Sequence, residues 1–434
     1  MIPAARAAAA IEVLSDISAR RRPASEALKD WGLAHRFAGS GDRANIASLV
    51  FDALRRQSSA QWIMKEETPR ASMLGALALM RGLGTDAIAA LFNGEGHAPP
   101  VLSAAERAHL DARKLDDAPA HVRGDFPEWL AAPFAAAFGA HVAEEARALA
   151  TRAPLDLRVN ILKGDREKAL KALAHLSAEP CALSPLGLTI PLNAEGRSAA
   201  LGAEPAYVKG LVEIQDEGSQ LAAFAAGAQP GMQVLDLCAG GGGKALALAG
   251  FMHNKGQLYA SDGDGRRLMP IFPRLERANV RNIQVRAPRK GTDVLADLSA
   301  RCDIVFVDAP CTGTGTWRRN PDAKWRMRPG ALEQRVKEQD EVLAGAARFV
   351  KPGGRILYVT CSVLIEENEA RVAAFLAAHP GFSAIAADDL ARTAMLPDLA
   401  RFASPHGPGL RLSPLSAGTD GFYMCGIRKV ANSE

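Results

Sequence analysis

The sequence lacks the cysteine patterns of a disulfide-bonded or zinc-binding protein. Its six cysteines are spread between Cys181 and Cys425, with neither close pairs nor C-x-x-C spacing. We therefore expect no disulfide framework and no metal site, and a reduced cytoplasmic setting is predicted.

Long hydrophobic runs are also missing. The longest apolar stretch, residues 130–140, is too short to span a bilayer and contains Pro133. The apolar part of the first segment carries Glu12 and Asp16, which argues against a signal peptide. No internal repeat or long low-complexity segment is evident. The sequence therefore predicts a soluble protein with no membrane partner.

Neither sign of charge dominates. The 434 residues carry a formal net charge of +4, with 48% hydrophobic and 23% charged residues. This composition is ordinary for a globular protein, and the length predicts two or three domains. A mildly basic balance permits a nucleic-acid partner without establishing one, because the clustering of charge matters more than its total.

Three regions differ in their patterns. Residues 1–125 are rich in alanine, leucine and arginine, with apolar positions at helical spacing, and predict an all-α domain. Residues 126–210 begin with a predicted connecting helix and continue as strand, helix and strand, which predicts a small α+β domain. Strands and helices alternate over residues 211–434, as is typical of a parallel, doubly wound α/β sheet. The closing segment, residues 419–429, is predicted to be an antiparallel edge strand.

A glycine-rich loop follows the predicted strand VLDL. The loop consists of Cys238, Ala239, Gly240, Gly241, Gly242, Gly243 and Lys244. Consecutive glycines let the backbone pass close to a ligand, and the next helix offers unpaired amides, although a simple tight turn is an equal alternative. Ala245 stands where a P-loop needs a magnesium-binding hydroxyl, which excludes that motif.

An acid follows the next predicted strand. Asp262 lies where nucleotide-binding sheets bind a ribose, although capping of the next helix is the alternative role. The loop and the acid together favour an adenosine-containing ligand without a polyphosphate. S-adenosylmethionine fits this pattern better than NAD or ATP.

Two cysteines follow two further predicted strands. Cys311 lies in the loop DAPCTGTG, three residues after Asp308, and Cys361 follows Thr360. Ligands of open α/β sheets bind outside the carboxyl ends of the strands, so both thiols are expected beside the glycine-rich loop. A lone cysteine in such a place is usually a small buried residue. The pair next to a nucleoside site indicates chemistry instead.

Paired thiols suit methylation at a base carbon. C5 of cytosine is a poor nucleophile, and addition of a thiolate to C6 makes it reactive toward a methyl group. A base must then remove the C5 proton so that the thiol can leave, and a carboxylic acid near N3 would stabilise the intermediate. The residues therefore predict one thiolate, one acid and one proton acceptor or elimination helper.

The carboxy-terminal half resembles the RsmB/Nop/Sun family of RNA cytosine-C5 methyltransferases, and its bacterial ribosomal-RNA branch in particular. The matching segments are, in order, EIQDEGSQLAA, DLCAGGGGK, DAPCTGTG followed by RRNPDAKW, TCS followed by EENE, and TDGFYM. RVNILK resembles the start of the family's small preceding domain, and residues 1–125 resemble its NusB-like RNA-binding domain. The chain departs from the family motif at Gly240, Gly241 and Ala245. It also lacks the acid after the third strand, for which Asp293 is a candidate.

This resemblance implies an α/β fold with a Rossmann-like S-adenosylmethionine-dependent methyltransferase domain at residues 211–434. It implies that Cys361 is the nucleophile, that Cys311 assists breakdown of the covalent adduct, and that Asp308 contacts cytosine. The implied cofactor-binding residues are Cys238, Ala239, Gly240, Gly241, Gly242, Gly243, Lys244, Asp262 and Asp308.

A basic and aromatic segment follows the Pro-Cys loop. Arg318, Arg319, Lys324 and Arg326 are interspersed with Trp317 and Trp325, a combination that suits phosphate contact and base stacking. These four cations are the predicted RNA-binding residues. A second basic run, residues 263–290, also suits phosphate contact, and about half of it is expected to be a solvated helix face instead.

The predicted activity is formation of 5-methylcytosine in RNA, most directly in small-subunit ribosomal RNA, by a monomeric cytoplasmic enzyme. Methylation of a tRNA is one alternative, because target choice depends on the amino-terminal regions. A non-catalytic RNA-binding or ribosome-assembly role is another, because the glycine loop is altered.

Overall fold

The computed structural model describes residues 1–193, 196 and 198–431. The chain divides into two compact units. The first contains Met1–Arg152 and Trp317–Pro329, and the second contains Ala153–Thr316 and Gly330–Glu434. Residues 126–152, predicted to belong with the small α+β domain, therefore lie in the helical unit. Positions 194, 195 and 197 of that predicted domain, and 432–434 at the end of the chain, lie outside the described residues.

Helices make up the first unit and alternate with strands in the second. Over the described residues they are α1 (Pro3–Arg20), α2 (Ala24–Ala34), α3 (Ser40–Arg55), α4 (Gln57–Met64), α5 (Pro69–Leu79), α6 (Thr85–Leu91), α7 (Ala104–Ala112), α8 (Ala120–Arg123), α9 (Ala131–Phe138), α10 (Val142–Leu149), α11 (Arg166–Ala172), α12 (Pro205–Val208), α13 (Glu217–Ala225), α14 (Gly243–Phe251), α15 (Gly265–Leu268), α16 (Ile271–Ala278), α17 (Ala323–Arg326), α18 (Ala331–Ala347), α19 (Glu369–Ala378), α20 (Ala387–Thr393) and α21 (Pro414–Ala417). None of these helices has both the length and the apolar character needed to cross a bilayer.

The strands of the described residues all lie in the second unit. They are β1 (Leu155–Val159), β2 (Glu179–Pro180), β3 (Gly187–Ile190), β4 (Val212–Ile214), β5 (Gln233–Asp236), β6 (Gln257–Ser261), β7 (Ile283–Arg286), β8 (Cys302–Asp308), β9 (Val350–Thr360), β10 (Phe382–Ala384), β11 (Leu410–Leu412) and β12 (Phe422–Lys429). They form a four-stranded sheet of order β2-β3-β1-β4 and an eight-stranded sheet of order β10-β12-β9-β8-β5-β6-β7, with β11 on β12.

The first unit is a helical bundle with its own apolar core. The side chain of Thr68 accepts a hydrogen bond from the amide of Ala71 and so caps α5, whose first residue is Pro69. A Cβ atom at Gly75 would lie 2.4 Å from Cα of Ala60, so glycine lets α5 approach α4 closely. The predicted connecting helix over residues 126–150 is wrong as a single element, because it divides into α9 and α10 at Gly139, where φ is +55°.

Five adjacent strands of the large sheet, in the order β9-β8-β5-β6-β7, are parallel. The apolar run CDIVFVD forms β8 and is buried along most of its length, as expected for a parallel strand covered on both faces. The prediction of an antiparallel final strand is confirmed, since β12 pairs antiparallel with β9. Its predicted edge position is wrong: β10 and β11 also pair with β12, whose side chains from Phe422 to Ile427 are too apolar for an edge.

Candidate active site

Four neighbouring strands bring three acids and a cysteine to one edge of the large sheet. Asp236 ends β5, Asp262 follows β6, Asp308 ends β8 and Cys361 follows β9. Because these strands are parallel, their carboxyl ends share one edge. The glycine-rich loop between β5 and α14 opens at the same edge.

The two predicted thiols lie side by side. Sγ of Cys311 is 3.3 Å from Sγ of Cys361, and both cysteines are half-buried. Two backbone hydrogen bonds hold their loops together, from the amide of Ala309 to the carbonyl of Val359 and from the amide of Gly315 to the carbonyl of Cys361, each 2.9 Å. The structure therefore brings together residues that are fifty positions apart in the sequence.

The environment of the pair keeps a proton on Cys311. The hydrogen bond with Cys361 raises the pKa of the Cys311 thiol well above its usual value, and burial and the charges of Cys361 and Glu367 add to this. The two sulfurs share one hydrogen bond, in which either can be the donor. Both lie in the same crevice.

A buried carboxylate at Glu367 organises the cysteine loops. It accepts hydrogen bonds from the amide of Thr312 at 2.8 Å, from the hydroxyls of Thr312 and Ser362, and from the Nε2 amide of Gln339 at 3.0 Å. Burial raises the pKa of Glu367 although these donors oppose the shift. Thr312 follows Cys311 and Ser362 follows Cys361, so one side chain fixes both loops. Sequence reasoning singled out neither Gln339 nor this arrangement, because the partners are remote along the chain.

A second set of buried hydroxyls joins the same loops. The hydroxyl of Thr314 lies 3.0 Å from that of Ser362 and accepts from the amide of Val363 at 3.0 Å. The hydroxyl of Thr360 donates to the amide oxygen of Asn368, whose nitrogen donates to the carbonyl of Ser362 at 3.0 Å. These bonds satisfy the polar atoms of the loops and leave the thiols as the reactive groups.

Lys244 and Asp308 form an ion pair at the floor of the crevice. Nζ of Lys244 donates to Oδ2 of Asp308 at 2.7 Å. Burial alone would lower the pKa of Lys244, but the charge and hydrogen bond of Asp308 outweigh it and raise the pKa, so the ammonium stays charged. The ammonium also lies 5.4 Å from the centre of the Phe422 ring.

The glycine-rich loop requires glycine at two places. Gly240 has φ of +48° and Gly242 has φ of +80°. A Cβ at Gly242 would also lie 2.4 Å from Cγ1 of Ile271, so the loop packs directly on the start of α16. The loop therefore forms a concave backbone surface that a ligand can approach closely.

Asp262 supports this loop and does not cap the next helix. Its Oδ2 accepts from the amide of Gly240 at 3.0 Å and its Oδ1 from the amide of Asp264 at 3.0 Å. The cap of α15 is Asp264, whose side chain accepts from the amide of Arg266. The buried Asp262 is therefore held at the end of β6, with Nη1 of Arg267 at 3.4 Å.

Some cations of the basic run brace the loop and are not an RNA surface. Arg274 donates to the carbonyl of Gly241 at 2.6 Å and pairs with the buried Glu213 at 3.0 Å. Arg277 pairs with the same carboxylate. Nothing in the local sequence indicated these pairs, because Glu213 lies about sixty positions upstream.

Asp236 is a site residue that sequence reasoning overlooked. Its side chain is buried, and neither carboxylate oxygen has a hydrogen-bond partner among the described residues. Burial raises the pKa of Asp236 to about 8, the charge of Asp308 adds to the rise, and Lys244 opposes it. An acid at the end of a strand directly before a glycine-rich loop was the available signal.

S-adenosylmethionine fits these residues. The buried, unpartnered carboxylate of Asp236 calls for a cation, and the cofactor carries an ammonium and a sulfonium group. Asp262 is placed for the ribose hydroxyls and the glycine loop for a close backbone approach. Asp293, the candidate for the missing acid, is bound instead to Arg348 and to the amide of Leu295.

The predicted RNA-binding segment lies largely inside the first unit. Lys324 has 0% of its surface exposed and donates to the carbonyl of Arg55 at 3.1 Å and to that of Asp125. Burial lowers its pKa to about 7. Trp317, 1% exposed, stacks on Phe134 with ring centres 5.5 Å apart and is therefore a core residue. The structure therefore contradicts a phosphate contact by Lys324.

The three arginines of that segment differ in their exposure. Arg318 is buried, whereas Arg319 and Arg326 are half-buried, and Nε of Arg326 pairs with Asp322 at 3.0 Å. An RNA contact by Arg319 and Arg326 stays a prediction.

Comparison with known proteins identifies the family. The model of the 16S rRNA methyltransferase RsmB/F family matches residues 224–428, and the ferredoxin-like domain of RsmF/B-like methyltransferases matches residues 126–194. A probable ribosomal RNA small subunit methyltransferase B of Bacillus subtilis (strain 168) is 31% identical over 385 residues, which are 87% of this chain and 82% of that protein. The chain belongs to the RsmB/F methyltransferase family.

Further relatives agree with this assignment. A ribosomal RNA small subunit methyltransferase B of Sodalis glossinidius (strain morsitans) is 33% identical over 74% of this chain and 68% of its own. A probable methyltransferase B of Synechocystis sp. is 33% identical, and the alignment spans 58% of this chain and 57% of that protein.

Solved structures support the fold over the full length. The crystal structure of PH0851 has a TM-score of 0.72 at 25% identity and covers 99% of both chains. NSun6 from Pyrococcus horikoshii, solved with SFG, has a TM-score of 0.59 at 21% identity over 71% of this chain and 99% of its own, and shows the fold alone. The predictions of the family, the Rossmann-like α/β fold and S-adenosylmethionine as the cofactor are confirmed. The protein is a methyltransferase.

Proposed function

We propose that this methyltransferase forms 5-methylcytosine in small-subunit ribosomal RNA through a covalent bond between Cys361 and C6 of the base. The observation that carries the proposal is the 3.3 Å separation of two thiols at the cofactor edge of the sheet. Methyl transfer to an oxygen or an exocyclic nitrogen needs no such pair, whereas transfer to a ring carbon needs a nucleophile and a route for its release.

In this proposal Cys361 is the nucleophile, which is the role that the resemblance of TCS to the family motif implies. The thiolate of Cys361 donates an electron pair to C6, and the electrons of the C5–C6 double bond move to C5 and on toward N3, which makes C5 nucleophilic. The hydrogen bond with Cys311 keeps the attacking sulfur in place. The loop contacts of Glu367 keep both sulfurs at this spacing.

Asp308 holds and polarises the base. Lys244 occupies its Oδ2, which leaves Oδ1 for the amino group or the protonated N3 of cytosine. The charged ammonium of Lys244 offsets the negative charge that gathers on the ring during addition. S-adenosylmethionine supplies the methyl group that C5 takes up.

Cys311 acts after the adduct has formed. Its raised pKa comes first from the neighbouring Cys361, and that cause disappears once the sulfur of Cys361 is bonded to carbon. Cys311 then gives its proton to solvent more readily, and its thiolate accepts the C5 proton. Removal of that proton restores the C5–C6 double bond as the C6–S bond breaks and the electron pair returns to Cys361.

The ribosomal target is supported by the names of the relatives, which are described as small-subunit ribosomal RNA methyltransferases. The target cytosine must be unstacked to reach thiols that lie in a crevice. A tRNA target would be recognised by the same catalytic residues, so the RNA recovered in the experiment below decides between them.

Covalent trapping tests the proposal. Cys311→Ala, Cys361→Ala and, as a control, Cys181→Ala variants are incubated with S-adenosylmethionine and total RNA, and RNA-shifted protein is detected in denaturing gels. We expect the adduct to accumulate in Cys311→Ala, because release is blocked, and to be absent in Cys361→Ala. Sequencing of the bound RNA then names the target.

Two results would contradict this assignment. An adduct in Cys361→Ala but not in Cys311→Ala would reverse the two roles. No adduct in any variant, together with no binding of S-adenosylmethionine, would leave a non-catalytic RNA-binding role.

A further inference from the structure

A solvent-exposed patch of cations and apolar side chains lies beside the glycine-rich loop, on α15, α16 and the turn after β7. Its members are Arg266, Met269, Phe272, Arg289 and Lys290, all exposed, and we call it the α15–α16 patch. Arg266 is 93% exposed, Met269 62% and Phe272 49%. Large apolar side chains so exposed among cations indicate a binding surface.

The patch is one surface and borders the glycine loop. Arg266, Met269 and Phe272 follow one another at spacings of three residues. A Cβ at Gly265 would lie 3.5 Å from Cδ of Pro288, which places the turn with Arg289 and Lys290 against the start of α15. A Cβ at Gly241 would lie 3.8 Å from Cβ of Pro270, between Met269 and Phe272 in sequence.

The charges of the patch are available to a partner. Arg274 and Arg277 are bound to Glu213, but among the described residues no carboxylate pairs with Arg289 or Lys290. Among the described residues the ion-pair partner of Arg266 is the half-buried Asp264, at 3.3 Å. Exposed pairs of this kind contribute little and are readily exchanged for a phosphate.

We infer that the α15–α16 patch binds single-stranded RNA that flanks the target cytosine. This inference rests on the proposed function. The cations match the phosphates, and the exposed ring of Phe272 offers a face for stacking of an unpaired base. Helix α15 of the patch follows the carboxyl end of β6. Strand β6 is three strands from β9, which corresponds to about 14 Å across the sheet. A strand whose cytosine reaches Cys361 therefore has its neighbouring nucleotides within reach of the patch.

The first experiment measures binding of a short single-stranded RNA of mixed sequence as salt is varied. The triple variant Arg266→Gln, Arg289→Gln and Lys290→Gln is compared with a control triple, Lys171→Gln, Arg301→Gln and Arg392→Gln, which removes equal charge from other exposed sites. We expect the plot of the logarithm of the association constant against log salt to become less steep by about 2 in the patch variant. Each phosphate contact contributes about 0.7 to the steepness. The control triple should keep the native slope.

The second experiment tests stacking. Phe272→Ala should weaken binding of the single strand by about 5- to 150-fold, the loss expected for one stacked base, and should leave binding of a duplex unchanged. Calorimetric titration with S-adenosylmethionine shows whether each variant is folded, since none of the substituted residues contacts the glycine loop through hydrogen bonds.

The outcomes separate this inference from the proposed reaction. Equal salt slopes in the patch and control triples, or undiminished single-strand binding by Phe272→Ala, would overturn the patch as an RNA surface even if native protein forms the Cys361 adduct. Conversely, the patch variants could lose RNA binding while the native protein forms no adduct. That result would support the surface and reject the reaction.

Discussion

At the residue scale, the buried carboxylate of Asp236 favours the binding of a positively charged ligand. A buried carboxylate without hydrogen-bond partners is costly in its charged form, so it takes up a proton. A cation beside it reverses that balance. Asp236 therefore couples the binding of a positively charged cofactor to the release of a proton.

We predict that the affinity for S-adenosylmethionine rises with pH until about pH 8. The pKa of Asp236 is about 8 in the free protein, the cofactor's positive charge favours the ionised form, and binding below that pH must displace a proton. Calorimetry in buffers of different ionisation enthalpy measures the proton released. Asp236→Asn should bind with weaker affinity and with a flatter pH dependence.

The same residue makes the free protein less stable as pH rises. Its pKa is higher in the folded than in the unfolded chain, so the folded state binds more protons between about pH 4 and pH 8. The contribution to stability is present below that window and is lost through it, by at most about 1.4 kcal/mol per pH unit. Asp293→Asn, at the surface, is the control for general charge effects. Identical pH profiles for native protein and Asp236→Asn would rule out this linkage.

At the element scale, the positions of the two thiols depend on the loops after β8 and β9. Neither loop has regular structure at the cysteines, and each is held by hydrogen bonds to the other and to Glu367. The spacing of the sulfurs is therefore a property of this network and not of either strand alone.

We predict that Glu367→Ala separates the thiols. It removes the acceptor of four hydrogen bonds and leaves the buried donors of Thr312, Ser362 and Gln339 unpaired, at a cost of at least about 1.5–3 kcal/mol in the free energy of unfolding. The turnover number should fall, while binding of S-adenosylmethionine should stay near that of the native protein. Urea denaturation and single-turnover methylation measure the two effects, and Glu366→Ala is the neighbouring control. A normal rate in a destabilised Glu367→Ala would show that the network serves folding only.

At the scale of the whole molecule, the helical unit is completed by a distant piece of chain. Residues 317–329 supply Trp317 and Lys324 to its interior, and Trp325 donates from Nε1 to the carbonyl of Leu54 at 2.6 Å. The ring of Trp317 extends a stack made of Phe134 and Phe126. Residues 1–152 alone therefore lack part of their own core.

We predict that Trp317→Ala lowers the free energy of unfolding of the helical unit by about 3–5 kcal/mol, the usual cost of removing a buried tryptophan. Trp62→Ala, at a partly exposed position of the same unit, should cost less than half as much. Scanning calorimetry measures the difference. Equal losses in the two variants would mean that residues 317–329 are not part of this core.

The sequence determined the local and periodic features of this protein by itself. Helical spacing in residues 1–125, the strand segments of the second unit and the order of DLCAGGGGK, DAPCTGTG and TCS were sufficient to predict the α/β fold, the cofactor and the positions of Cys311, Cys361 and Asp308. These features are visible because strand period, glycine conformation and reactive groups are properties of neighbouring residues.

Tertiary structure alone decided the contacts between distant residues. Burial turned Lys324 from an expected phosphate contact into a core residue, β10 and β11 moved β12 away from the sheet edge, and Glu367 joined the two cysteine loops. The sequence shows where a lysine or a glutamate lies along the chain, but the solvation of its charge depends on the residues that pack around it. That is a property of the folded chain, and it decides which charges face solvent and which hold the site together.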